Sequence, residues 1–587
     1  MGGAAAVVVA TAGMGVGQLS AHATTTSFSV DSNLDAAPGT CVTLGHGTLR
    51  DCINAADATP GTNTITFSVA VVAPIILTMG ELPITGAQAL TITGSGQAAT
   101  IIDGNAASRV FNVAAAATTT LSDLTVRNGR FTNPSGFDGG GGIRDAGVLT
   151  LTRVTVSGNQ SLAAAGVSAT SGGLFDAGTG LLTIQDSTFS GNTVTSDHDA
   201  AGGAVQDCCS GTEHVVITGS TFTGNTATTT TGQAFGGVLA SHGIMSISGS
   251  TFSGNTDSQT SSVSGSGAGA SVIVSHGTLT IDRSTFHANT TTGAAANIGG
   301  TGAVEICCGG APTLTVTGST FDHNTVTGDG SSAAAIDVCC GAGGSIATST
   351  FDSNSVSGTG SGGGAAYIAT TAGKGSFPIT DSTFTGNSAS GTGATGGALI
   401  VDLNSSPAPA VAFTNDTIDG NSAPSGANLF VARDAAMSML NTIVSGSPAA
   451  NCTIQAGTTI TDLGHNLDDA STSTCGFSAA NADVLGSDPK LDGLAANGGS
   501  TRTQALLTGS PAIDAGSSSG CPSLDQRGTT RVTSGDPTCD IGAFEVVQTK
   551  LIPVPTAGAG LRLPLALLLL AWGTLALGAA RRRRTTG

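Results

Sequence analysis

Charge is scarce in this chain. Only 10% of its 587 residues are Asp, Glu, Lys or Arg, against about 25% in an average domain. Disordered chains are charge-rich and poor in apolar residues, so this shortage, with a mean hydropathy of +0.23, excludes disorder. Bases are the scarcer sign, 19 Lys and Arg against 38 Asp and Glu, for a formal charge of −19. Four of those bases are the run Arg581 to Arg584, so the main body offers little to nucleic acid or other acidic polymers. Aromatics make up 4%, with one Trp and one Tyr, which leaves few platforms for stacking sugars. No helix-length period of 3.6 runs through the middle of the chain, and Ala-rich patches such as Ala163 to Ala165 are too short to nucleate a helix. What the chain has instead is glycine: 88 residues, with 18 Pro and no three-residue period, which excludes collagen.

It also has a repeat. STFSGNT at 187–193 returns as STFTGNT at 220–226, STFSGNT at 250–256, STFHANT at 284–290 and STFDHNT at 319–325. STFDSNS at 349–355, STFTGNS at 382–388 and DTIDGNS at 416–422 continue it, and VTVSGNQ at 154–160 is an earlier copy. Phe189, Phe222, Phe252, Phe286, Phe321, Phe351 and Phe384 recur every 30 to 35 residues. Before each Phe lies an alternating stretch such as VVITGSTF, the signature of a strand with one buried face. Three residues after it comes Asn192, Asn225, Asn255, Asn289, Asn324, Asn354 or Asn387, and three after Val156 and Ile418 in the copies without Phe come Asn159 and Asn421, a residue suited to a corner. A polar loop and then a Gly-Gly step, as in GGAV at 202–205 or GGAL at 396–399, lead to a second short strand. One such unit cannot bury its apolar face alone, but stacked coils can. The spacing predicts an all-β parallel β-helix of about ten coils, with an internal Phe ladder and a ladder of corner Asn side chains.

The ends and the cysteines point to export. Residues 1–23 read as a secretory signal ending Ala21-His22-Ala23. Leu563 to Ala580 is an uncharged 18-residue run closed by Arg581 to Arg584, which predicts a C-terminal transmembrane helix with residues 24–550 outside. Twelve cysteines in an exported chain imply disulfides. Cys41 with Cys52, Cys452 with Cys475, and Cys521 with Cys539 are close enough in sequence to pair locally. Cys307-Cys308 and Cys339-Cys340 lie one repeat apart and are candidates for bridging between coils. Cys208-Cys209, three repeats earlier, is left to pair within itself or stay reduced.

Several motifs resemble known families. The FxxN and Gly-Gly-Ala-hydrophobic pairs resemble the repeats of polymorphic outer-membrane proteins, which implies a right-handed β-helix. Residues 41–67, with Thr48-Leu49-Arg50 and Ile53-Asn54-Ala55-Ala56, resemble the CSLREA segment that leads into bacterial β-helices; here Cys52 and Asp57 depart from its pattern. Residues 509–546 resemble the choice-of-anchor Q domain of bacterial surface proteins. Ser510-Pro511-Ala512-Ile513-Asp514, Asp525-Gln526-Arg527-Gly528 and Asp540-Ile541-Gly542-Ala543-Phe544-Glu545 carry that likeness. Ile552-Pro553-Val554-Pro555-Thr556, ahead of the apolar run, resembles the IPTL class of sorting signals, though the Ser-Glu-Trp often seen next is absent. That resemblance implies a processing peptidase as partner, and none of these families brings a catalytic set.

The enzyme alternative is a β-helical polysaccharide lyase or glycoside hydrolase. Gly45-His46-Gly47 and Asp468-Asp469 superficially resemble polygalacturonase elements, but their order is reversed. A lyase needs a base beside acidic calcium ligands, yet residues 154–432 hold only Arg283 and Lys374 against seventeen acids. Asp282, Asp322, Asp337 and Asp352 could stack into acidic surface pairs, so structural calcium is the one cofactor the pattern allows. His198, His214, His242, His276, His287 and His323 fall in different repeat phases, which predicts no metal cluster. The expected organisation is a signal (1–23), an N-terminal cap (24–64), the β-helix (65–445), a C-terminal cap (446–550) and a membrane or sorting tail (551–587). The expected role is a non-enzymatic rod on the bacterial surface, for display or adhesion to a glycan or cell-surface ligand, with the membrane engaged through the tail.

Overall fold

A computed structural model describes residues 25–547 apart from 37–40, 42–46, 69–70, 72, 135–136, 209–213, 261–267, 271, 294–299, 307–311, 340–341, 371–375, 404–410, 448 and 534–536. The signal segment, His46 and the whole tail from 548, including Ile552 to Thr556 and the apolar run, lie outside them. Among the described residues no helix is long and apolar enough to cross a membrane.

The chain winds as a parallel β-helix. The coil from His214 shows how. His214–Thr218 alternates outward and inward, with Val215 and Ile217 buried, and pairs in parallel with Ile244–Ser248 thirty residues on. Gly219 turns the chain with φ +57, and Thr221–Thr223 carries Phe222 inward. In other coils the same left-handed corner is taken by Asp186, Arg283, Thr348, Asp381 or Asn415. A second left-handed residue, Gly224, precedes Asn225, and the chain then enters Thr226–Thr229. Leu239–Ser241 closes the coil and stacks on Ile273–Ser275.

Repetition of this path builds a 28-stranded sheet bent at the first corner, a 13-stranded sheet, and a 9-stranded sheet between them. Thirteen strands at about 4.8 Å span about 58 Å. Coils without the motif join at both ends. Thr25–Val30 pairs with Thr62–Phe67, so the segment expected as a cap supplies the first rung. Strands continue past 445 to Val484–Leu485. Helix Leu49–Asp57, started by a capping box of Thr48 and Asp51, packs Leu49, Cys52 and Ile53 into the main core at that first rung.

One expectation is corrected here. The polar stretch after Asn159 and each later motif Asn up to Asn387 begins with a strand, not a loop, as Thr256–Gln259 does after Asn255; with Arg130–Asn133 these strands make the 9-stranded sheet. Its inward positions feed small side cores, Val194 with Ala200 and Ala227, and Val326 with Ala334 and Val356, outside the main core. The Gly-Gly step also gains a reason. Gly363 and Gly396 are left-handed, φ +69 and +63, and a Cβ on Gly364 would collide with the Gly397 carbonyl of the next coil.

Candidate functional site: ladders inside, a docked segment outside

The Phe side chains stack as the period requires. From Phe189 to Phe384 successive rings lie 4.5–5.0 Å apart and within 13° of parallel, all fully buried. The Asn side chains form a continuous amide ladder. Asn289 is typical: its Nδ2 donates to Asn324 Oδ1 at 2.9 Å and to the Phe252 carbonyl at 3.0 Å. Its Oδ1 accepts from the backbone N and Nδ2 of Asn255. The pattern runs from Asn159 through Asn192, Asn225, Asn255, Asn324, Asn354 and Asn387 to Asn421. There Asn428 and Asn451 take over, and Asp468 ends the series.

The serine of every STF forms a third ladder that its polar, surface-like character does not announce. The backbone N of Ser187 donates to Ser220 Oγ, Ser220 to Ser250, Ser250 to Ser284, and so on to Ser382. Asp416 takes the serine's place next, accepting from the Ser382 N at 2.8 Å. Burial lifts the Asp416 carboxyl well above the usual range, against the pull of these backbone N–H groups.

Cysteines clasp the ends. Cys41–Cys52, Cys452–Cys475 and Cys521–Cys539 are disulfides with Cα separations of 4.8, 5.0 and 6.6 Å. Cys208 and Cys339 are also oxidised, which removes the reduced alternative for Cys208. Cys209, Cys307, Cys308 and Cys340 lie outside the described residues.

From 486 onward the described residues form no strand and fold back along the Phe-bearing leg of the rod. Gln526 Nε2 donates to the Thr350 and Thr501 hydroxyls, and Thr383 Oγ1 donates to Gln526 Oε1. Ala543 N donates to Thr417 Oγ1. Arg531, fully buried, donates to Asp381 Oδ1 at 2.6 Å, to Glu545 Oε2 at 3.1 Å and to the Gly542 carbonyl. Burial raises the Asp381 carboxyl to about 7, outweighing the attraction of Arg531. Arg527 pairs with Asp525 and lies over the Phe544 ring, 3.5 Å from its centre. Asp540 accepts from the backbone N of Asp514 and Val546. The Asp-Gln-Arg and Asp-to-Glu motifs are thus the docking contacts of this segment, with Leu506, Ala512 and Ile541 packed on Ile443 and Leu467.

The suspected chemical residues are largely employed in structure. Asp468 and Asp469 accept from Asn451 and from turn N–H groups. Asp282 pairs with Arg283. Asp337, expected at the surface, is buried; burial first and Glu305 second raise its carboxyl to about 7. Asp257, raised in the same order of causes, is fully buried at an inward position of the 9-stranded sheet. Asp322 and Asp352 are in register on adjacent coils, and Arg502 from the docked segment lies between them, 3.7 and 2.9 Å from their Oδ2 atoms.

Two of the six histidines meet at one carboxylate despite their different phases. His287 Nδ1 and His323 Nδ1 meet Asp322 Oδ2 at 3.0 and 3.2 Å, although His287 is one residue after its Phe and His323 two. A left-handed corner at His323, φ +56, turns its side chain back toward the neighbouring coil. No family model matches the chain, and no curated protein matches it.

Proposed function

We propose that the protein is a non-enzymatic rod exported to the bacterial surface, displayed there for adhesion to a glycan or cell-surface ligand. Its right-handed β-helix carries the outward side of the strands after the Asn corners, and the polar turns that follow them, as the binding face. The segment resembling the choice-of-anchor Q domain hands the rod to a sorting tail at Ile552 to Thr556, which a membrane peptidase removes. The observation that carries the reading is the combination of a solenoid with disulfides closing both ends, because such bonds persist in oxidising, extracytoplasmic compartments. Surface antibody labelling of intact native cells, with a glycan-array and cell-binding screen of residues 24–550, tests it. Labelling of intact cells with saturable binding is the expected result. Labelling only after lysis, or release of reducing ends from a polysaccharide, refutes it.

A further inference from the structure

Two imidazoles and a carboxylate converge on the outer corner of adjacent coils. One ligand atom each from His287, Asp322 and His323 lie within 4.8 Å of one another. The two Nδ1–Oδ2 separations, 3.0 and 3.2 Å, match the edge of a tetrahedron with metal bonds near 2.05 Å, about 3.3 Å. The imidazole rings are 5.8 Å apart, edge to face, and both side chains are about half exposed, at 50% and 55%.

The surroundings favour a cation. Asp322 and Asp352 bring two negative charges against the one positive charge of Arg502. Arg502 bonds Asp352 and approaches Asp322 Oδ2, as outer-shell partners do when they orient a ligating carboxylate. His323 holds a left-handed backbone where other coils place Gly224, Gly254 or Gly386, so the imidazole occupies a corner that usually carries no side chain. We propose that His287, Asp322 and His323 bind one divalent zinc ion, with the fourth position open to water or an external ligand. Mixed nitrogen and oxygen donors select a borderline ion over calcium, which takes oxygen ligands.

The test is a competition titration of the full-length protein with zinc against a chromogenic chelator, with calcium as a second arm. One zinc per chain is expected, undisplaced by excess calcium. His287→Ala and His323→Ala should each weaken it at least as much as loss of an outer-shell partner does, ~10-fold or more. His214→Ala, an exposed histidine on another leg, should leave it unchanged. Full zinc affinity in the His287→Ala/His323→Ala double variant, or displacement by calcium, overturns the assignment. Zinc-edge X-ray absorption of the wild-type protein needs no variant to fold: two imidazole nitrogens support the site, and an all-oxygen shell refutes it.

Discussion

Replacing Asn289 by alanine isolates what the amide ladder contributes. The side chain is fully buried and makes four hydrogen bonds, two donated by Nδ2 and two accepted by Oδ1. Its loss strands the Asn255 backbone N–H and one Asn255 amide hydrogen, neither of which water can reach. Each orphaned buried group costs about 1–3 kcal/mol, so Asn289→Ala should destabilise by roughly 4 kcal/mol. Asn289→Asp separates the two halves of the interaction. It keeps the acceptor for Asn255 but sets carboxylate oxygens against the Phe252 and Asn324 oxygens. A protonated carboxyl restores one donor, so this variant should recover stability as the pH falls. Denaturant melts, with hydrogen exchange at the Asn255 amide, measure both effects and locate them. Exchange matters because stacked repeats can open locally rather than all at once. If Asn289→Ala costs no more than Thr230→Ala at an exposed turn, about 0.5 kcal/mol or less, the ladder reasoning fails.

Three further outcomes follow from the same packing. Phe252→Asp puts a carboxylate into the ring stack and should cost about 3 kcal/mol or more, against about 0.5 or less for Thr230→Asp, in paired thermal melts. Arg531→Ala leaves Asp381 and Glu545 buried without their cation. It should release the 500–546 segment to limited proteolysis while the rod's far-ultraviolet spectrum persists; a segment as resistant as wild type counts against the docking role. Burial raises Asp337 and Asp381 to about 7 and Asp145 and Asp540 to about 6, so the folded state holds more protons than the unfolded chain above pH 4. Their contribution is complete below the unfolded value and is lost as pH rises through 6 and 7; the melting temperature should therefore be higher at pH 5 than at pH 8, and Asp337→Asn should flatten that slope.

What could be read in advance was whatever the period repeats. Strand, corner and ring stack recur every 30 to 35 residues, and in a solenoid equal phase means vertical contact. The serine of STF repeats as faithfully as the Phe. Its role was missed because serine is a default surface residue, and only the coil geometry shows its hydroxyl meeting the backbone N–H of the coil before. The strands after Asn escaped notice because TATT and TDSQ are as polar as loops, and their buried side faces only small cores. Phase alone does not bring His287 and His323 together; the left-handed backbone at His323 does, and no strand period signals it. The docking of Arg531 on Asp381 bridges 150 residues and belongs to no repeat, so nothing local signals it.

That non-repeating contact bears on how the rod works as an object. A stack of like coils has no intrinsic end: its first and last rungs present unpaired edges that would template another chain. At the start, helix Leu49–Asp57 and the Cys41–Cys52 bridge cover the first rung. At the far end, the Cys452–Cys475 bridge ties the last long rungs together. A repeat array is also only as cooperative as its neighbour contacts, because each coil touches the next and little else. The segment from 500 to 546 changes this by bonding Thr348, Thr350, Asp381, Thr383 and Thr417 across three successive coils. Opening any one of those coils then requires breaking contacts to a strap that its neighbours still hold. Local opening should therefore be rarer in those three coils than in coils the segment does not touch, which hydrogen exchange resolved coil by coil would measure.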